Sequence, residues 1–435
     1  MKRITYMFLI LTGAMFLSAE SPLVLNEKMA VDLALAQNPN LQSGRLDLES
    51  IQAKKKNSWN VFLPDLSIRG GVSRSEEVFT ENSYLDGDSW SVNATLNASL
   101  TLNSAGILGI KTNKLSYDSQ SLYYKTAEDQ LKINVRKQFY YLLAYKENLE
   151  MVKKNLELAE KRYEQTRTNF KNGLTSELAV LESRNSYESL RPSYTNTKTS
   201  YEIHVMSFKN LLGLDLEQEM DVEGSLDVSV LDLEVSSLIN TFLTRRLDVQ
   251  SSVKSLEFQE NILDLTIAGT LTPSLTLSSD WTGTARDLSN TEWNDAVTVS
   301  LYISLPLNGF IPGSKENLDI KDAKRDVEKA RLFLKETMDS AEQDIRTLVL
   351  KLDGYRENME ITALSVELAQ KTFEGIESAF NLGTREILDV EAAQNKLLSA
   401  NQDLLQSRYS YLSGLLELEY ALNVTIDEIN GGNND

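Results

Sequence analysis

The chain has 435 residues, a net charge of −19, one histidine and no cysteine. The absent thiol excludes disulfides, thiol catalysis and a lipidated N-terminal cysteine, and the acidic balance excludes nucleic acid, whose phosphates need clustered Lys and Arg. The sequence also holds no phosphate loop, zinc spacing or serine elbow, and His204 reads as an ordinary helix residue, so no catalytic, cofactor or metal site is expected.

Residues 1–20 read as an export signal: Lys2 and Arg3 precede an uncharged apolar run from Ile4 to Leu17, then small residues at Ser18 and Ala19, with cleavage near Ala19 to Ser21. No other stretch approaches the roughly 20 apolar residues of a spanning helix. Repeat 1 occupies residues 21–220. It opens with an amphipathic helix over 22–58, broken at Pro39. A β-hairpin over 61–103 follows, with strands Phe62 to Val72 and Trp90 to Asn103 joined by a polar loop at 74–89. Trp90, Val92, Ala94, Leu96, Ala98, Leu100 and Leu102 alternate with Ser, Thr and Asn, which gives one apolar and one polar strand face.

The coiled-coil hairpin at 105–212 comes next. Val135, Leu142, Leu149, Leu156, Tyr163 and Phe170 stand seven apart, the chain turns at Gly173, and Val180, Tyr187, Tyr194, Tyr201 and Phe208 resume the sevens. Such spacing puts one apolar stripe on each helix, to be buried against a neighbour. The first limb has neither Gly nor Pro from Ile110 to Asn172, room for a rod of about 90 to 100 Å, and Pro192 should kink the second. Residues 213–235 link the repeats.

Repeat 2, residues 221–430, restates repeat 1 at an offset of 210 residues. A helix at 233–266 leads to a β-hairpin at 271–307, whose polar loop is 282–294. Pro273 to Leu277 echo Pro64 to Ile68, and Val297, Val299, Leu301, Ile303, Leu305 and Leu307 alternate as the second strand. The coiled-coil hairpin at 314–422 carries Ile345, Leu352, Met359, Val366, Phe373 and Phe380, turns at Gly383, and continues through Val390, Leu397, Leu404, Tyr411 and Leu418. Its first limb is interrupted only by Gly354 and Gly375, and residues 431–435 read as a disordered tail.

An uncharged polar strand face suits the watery lumen of a membrane barrel whose other face meets lipid. A soluble sheet would carry Lys and Glu there. Four strands cannot close, and open edges are not tolerated in lipid. Assembly is therefore expected, and a homotrimer is favoured because twelve strands leave a lumen whereas eight are filled by side chains. Twelve helices would prolong that barrel into a hollow α-helical cylinder, so the fold expected is a mixed α+β membrane protein.

The signal, the duplication and above all the two glycine turns resemble the TolC family of outer-membrane efflux and secretion channels, along essentially the whole mature chain. Phe380-Asn-Leu-Gly-Thr-Arg-Glu-Ile-Leu-Asp-Val is similar to the family's aromatic, x, x, Gly-Thr-Arg, x, Ile, x, Asp-Val, and Phe170-Lys-Asn-Gly-Leu-Thr keeps the start of the first turn. The resemblance implies a barrel in the outer membrane with a periplasmic extension, an inner-membrane transporter and a periplasmic adaptor as partners, and small-molecule efflux as the task. It places Gly173, Leu174, Thr175, Gly383 and Thr384 at the adaptor-docking tip, and Arg385 and Asp389 at the channel constriction. Two departures, Ala179 and Ala392 at positions that carry acids in the family, imply a less charged constriction. Export of polypeptides, a divalent cation held by a ring near Asp389, and a non-transporting coiled coil of the envelope are the alternatives. The last leaves the strand faces without a purpose.

Overall fold

The computed structural model describes residues 23–75, 89–227, 229–285 and 293–431. The export signal lies outside them, as do the middles of both polar loops and residues 432–435. In chain order the first repeat contains β1 (Leu23–Leu25), α1 (Glu27–Gln37), α2 (Pro39–Lys56), β2 (Asp65–Ser75), β3 (Ser89–Asn103), α3 (Ser104–Lys171), α4 (Glu177–Leu212) and β4 (Met220–Val222). The second contains α5 (Val235–Phe242), α6 (Leu247–Leu271), β5 (Ser274–Ala285), β6 (Asn294–Ser304), α7 (Lys315–Asn381), α8 (Ile387–Leu422) and α9 (Ile426–Gly431).

The long helices match in pairs: α3 and α7 have 68 and 67 residues, and α4 and α8 have 36 each. Their ends match as well. Gly213 (φ 76°) and Asn423 (φ 55°), 210 apart, both adopt the left-handed conformation that ends a helix. In each, the amide of the next residue returns to a carbonyl five back, Leu214 to Lys209 at 2.9 Å and Val424 to Glu419 at 3.2 Å. Pro192, Gly354 and Gly375 do not break their helices. A glycine costs about 1 kcal/mol in a helix interior, less than the packing of a long apolar stripe returns.

Element boundaries shift where local chemistry decides them. The first strand starts at Asp65 rather than Phe62, because Ser58–Phe62 close a 3-10 turn ahead of Pro64. Similarly, α6 continues to Leu271, Pro273 follows, and β5 begins at Ser274. Pro306 has no amide to give a ladder, and β6 ends at Ser304. The three-residue strands β1 and β4, which pair in parallel, were not expected. Asn38 and Pro39 divide the first helical segment into α1 and α2, and Asn38 is buried, donating to the Leu211 carbonyl at 3.0 Å.

The chain divides into two compact units, neither of which is a repeat. One comprises the described part of Met1–Asn38 with Leu131–Val230 and Leu352–Leu416. Its core is the heptad series: Val135, Leu142, Phe208, Leu352, Val390 and Tyr411 are all buried, each fully buried Leu or Phe contributing about 1.5 to 3 kcal/mol. The segment linking the repeats is packed there too. Leu226 is buried, and Lys146 holds Asp221 at 2.7 Å and the Val222 carbonyl at 3.0 Å.

The other unit comprises Pro39–Gln130, Leu231–Lys351 and the described part of Glu417–Asp435. It holds a four-stranded sheet in the order β2-β3-β5-β6, antiparallel throughout. Around the helices of this unit, buried Arg246 is bound to Asp248 at 2.6 Å and to Asp344 at 3.3 Å, and buried Asn261 donates to Thr112 at 2.8 Å.

Candidate functional site

The sheet sorts its residues into two faces rung by rung. Ile68, Leu96, Trp281 and Val297 stand abreast across the four strands, as do Leu100, Leu277 and Leu301 on the inner strand and its two successors. One residue along, the rungs are polar: Ser67, Asn97, Asp280 and Thr298, then Ser99, Ser278 and Ser300. The polar side chains bond to one another, Ser73 with Ser91 at 2.7 Å and Thr101 with Thr276 at 3.0 Å, and Asn97 donates to Asp280. Arg69 and Asp280 put more charge on this face than the alternating pattern suggested.

Among the described residues nothing covers the outer strands of the apolar face. Ile68 is 81% exposed and Ile303 is 77% exposed, which for strand residues demands an apolar medium or a partner. Moreover, among the described residues β2 and β6 each have a strand neighbour on one side only, and such edges invite pairing with another chain. No helix among the described residues is long and apolar enough to cross a membrane.

The two helix turns form the second candidate site. Gly173 (φ 73°) and Gly383 (φ 75°) occupy the left-handed position where a Cβ is disfavoured. Each turn is closed by the same two bonds. Gly173 donates to the Phe170 carbonyl at 2.9 Å and Leu174 to Asn169 at 2.8 Å, while Gly383 donates to Phe380 at 2.8 Å and Thr384 to Ala379 at 2.9 Å. The Thr384 hydroxyl also donates to the Ala379 carbonyl at 2.9 Å. Beyond the first turn the cap is Ser176, one residue after Thr175, which accepts from the Ala179 amide at 3.2 Å. Large apolar side chains project here: Leu174 is 75% exposed and Leu382 is 80% exposed. Arg385 and Asp389 come together as an exposed pair at 3.6 Å.

A polar stripe beside the apolar one escaped the reading of the sequence. Asn148, Asn155 and Arg162 are seven apart on α3 and meet α8: Gln402 donates to Asn148 at 2.8 Å, Gln394 donates to Asn155, and Arg162 donates to Gln394 and to Glu377 of α7 at 3.3 Å. Asn155 and Gln394 are buried, and Glu391 lies beside them. Burial holds the Glu391 carboxyl above its usual range, against the opposing pull of Ser186 and Arg162. A search for polar residues at sevens would have found the α3 half. His204 packs on Tyr141 and Tyr145, with ring centroids at 4.9 and 4.6 Å, and burial lowers its pKa.

Comparison with known proteins bears on these surfaces. The model of the outer membrane efflux protein family matches residues 30–214 and again residues 238–424. The outer membrane protein TolC of Vibrio cholerae is 22% identical over 407 residues, covering 91% of this chain and 90% of that protein. Among solved structures, the Campylobacter jejuni CmeC outer membrane channel superposes with a TM-score of 0.76 at 18% identity, over 94% of this chain and 89% of the other. The Vibrio cholerae outer membrane protein VceC superposes with a TM-score of 0.72 at 18% identity, over 92% and 96%. The family match runs through both hairpins and both glycine turns, and the chain belongs to the outer membrane efflux protein family, as a channel protein of the outer membrane rather than an enzyme.

Proposed function

We propose that three copies of this chain close into a twelve-stranded barrel that serves as the exit duct of a tripartite efflux system, passing small molecules received from an inner-membrane transporter through a periplasmic adaptor. One observation carries this reading: a four-stranded sheet with two free edges, one bare apolar face and one hydrogen-bonded polar face. Pairing β6 of one copy with β2 of the next removes every edge. The apolar rungs then face lipid, and the Ser, Thr and Asn rungs line a lumen, which twelve strands leave open and eight do not. Because β3 runs into α3 without an intervening residue, the conduit continues directly from strands into helices.

In the same reading the turns at Gly173 and Gly383 receive the adaptor, with Leu174, Thr175 and Thr384 at the contact and the exposed Leu174 and Leu382 as its apolar knobs. Arg385 and Asp389 of three copies ring the axis as the constriction. The cysteine-free sequence makes the test direct. Protein solubilised with its β-structure intact should have the mass of a trimer and conduct in a planar bilayer, and single cysteines at positions 174 and 384 should cross-link to a periplasmic adaptor. A stable monomer without conductance overturns the barrel; conductance without any cross-link overturns the docking assignment alone.

A further inference from the structure

Where the sheet passes into helices, an exposed apolar collar meets the densest basic cluster of an acidic protein. Lys54, Lys55 and Lys56 end α2, the longest unbroken basic run in the sequence. Immediately afterwards Trp59, Phe62 and Leu63 are exposed, just before the lipid-facing rungs of β2 begin. Helix α2 lies along the start of α3 and runs against it. Gly44 is beside Tyr124, Lys55 reaches Asp118 at 3.8 Å and stands 3.9 Å over the Tyr117 ring, and Val61 abuts Gly106. That packing brings the three lysines to the part of α3 carrying Lys111 and Lys114, whose residues 104–117 include no acid. Lys54, Lys56, Lys111 and Lys114 are exposed and make no ion pair among the described residues.

The heights agree with a bilayer boundary. Exposed Ile107 extends the apolar face one turn into α3, and at the usual rise Lys111 and Lys114 stand about 6 and 10 Å beyond it. The headgroup layer is about 5 to 8 Å deep on each side. Cβ atoms on a helix lean toward its N-terminus, so both lysines lean back toward the sheet, and long stems can cover the rest. A helix C-terminus favours a cation through its dipole, but that does not account for the cluster. The second repeat has an equivalent helix and carries Leu263, Asp264 and Leu265 ahead of Pro273 where the first has three lysines ahead of Pro64.

We propose that this collar binds the headgroups of anionic phospholipids in the leaflet from which the helices emerge, the aromatic and aliphatic side chains entering the acyl region and the lysines holding phosphate. The inference rests on the sheet crossing the membrane as proposed above. To test it, the mature chain is reconstituted in phosphatidylcholine vesicles containing a minority of phosphatidylglycerol, re-extracted in mild detergent, and its retained lipids are counted. A variant with Lys54→Gln, Lys56→Gln, Lys111→Gln and Lys114→Gln is treated alike, leaving Lys55 on Asp118. Wild type should enrich phosphatidylglycerol over its share of the vesicle by about fivefold or more, and the variant should fall to the vesicle ratio while keeping its conductance. Retention at the vesicle ratio by conducting wild type, or undiminished enrichment in the variant, overturns the collar alone. Loss of enrichment in millimolar inorganic phosphate would identify a bare anion site and overturn the lipid assignment. Protein that neither conducts nor retains lipid removes the barrel together with the collar.

Discussion

Leu96 and Asn97 are adjacent, and the barrel reading assigns them opposite fates when each becomes arginine. Leu96 is the central residue of the 15-residue β3, flanked across the sheet by Ile68 and Trp281. Seven residues on either side at the strand rise, tilted by about 40°, put both strand ends about 18 Å away along the membrane normal. The lipid-facing band is only about 25 Å tall, so position 96 lies near its midplane. Leu96→Arg should therefore carry the full penalty of about 2 to 4 kcal/mol per chain, a factor of roughly 30 to 1,000 in the insertion equilibrium. Asn97 instead stands beside Ser67 and Asp280, and its amide already donates to the Asp280 carboxylate. An arginine there keeps a partner for its charge, and its effect on stability should stay within about 0.5 kcal/mol while the lumen becomes less cation-preferring. Urea midpoints of vesicle-refolded protein, with outer-membrane abundance in cells, measure the first effect; reversal potentials measure the second. Should Asn97→Arg be the variant that fails to insert, the faces are inverted. If both variants insert like wild type, the sheet does not cross the membrane.

At the turns, Gly173→Ala and Gly383→Ala should each cost about 1 to 2 kcal/mol in thermal or urea unfolding, from the positive φ alone, since a Cβ at either position meets nothing within 4 Å. Gly173→Trp and Gly383→Trp should still give trimers but abolish efflux, and normal efflux at normal protein levels would remove these turns from docking. The exposed Arg385–Asp389 pair should contribute less than about 0.5 kcal/mol to stability. Single-channel recording should nevertheless find weaker block by multivalent cations in Asp389→Asn and higher conductance in Arg385→Ser; traces identical to wild type return the pair to an ordinary solvated contact between the turn and the start of α8. Because burial raises the Glu391 pKa, its ionised form is disfavoured in the folded state and stability is lost as pH rises through the raised value. Glu391→Gln should accordingly unfold at a higher temperature than wild type at pH 7, with the difference gone below about pH 4, and a lower midpoint at neutral pH would contradict that sign.

The features legible in the sequence are those whose cause is local. An apolar residue every seventh position fixes a helix face wherever the helix lies, and Val135, Leu142, Val390 and Tyr411 are buried as that spacing requires. Gly173 and Gly383 are legible because positive φ is a property of one residue and its two neighbours. Period-two alternation likewise set the faces of β3 and β6, although 3-10 turns and prolines moved the strand ends by a few residues. Pairing between distant short segments was not legible. β1 and β4 have three residues each, too few for any period, and join parts of the chain far apart in sequence. The stripe of Asn148, Asn155 and Arg162 obeys the same sevens as the core but is polar, and its meaning lies in Gln394 and Gln402 on another helix.

The two repeats therefore sort their own residues by cause. At the ends of the paired long helices, positions where the backbone needs a particular conformation agree across the duplication: glycine at 173 and 383, and glycine at 213 answered by asparagine at 423, the side chain that best tolerates the left-handed region, whereas Gly313 (φ 83°) lies in a turn between strand and helix that the first repeat lacks. Positions free of that demand have diverged. Thr175 faces Arg385 across the duplication, Ala179 faces Asp389, and Lys54, Lys55 and Lys56 face Leu263, Asp264 and Leu265. A duplicated hairpin in a closed ring presents its two copies to different neighbours, so charge can be placed on one without the other. In the proposed ring the turn with Arg385 and Asp389 would set both charges where ions can reach them, whereas the first turn has Thr175 and Ala179 at the equivalent positions and carries its acid at Glu177 instead. Of the collar's lysines, Lys111 and Lys114 recur 210 residues on as Lys321 and Lys324, so only the run Lys54, Lys55 and Lys56 belongs to one repeat, and in the proposed ring it would alternate around the rim with stretches that lack it.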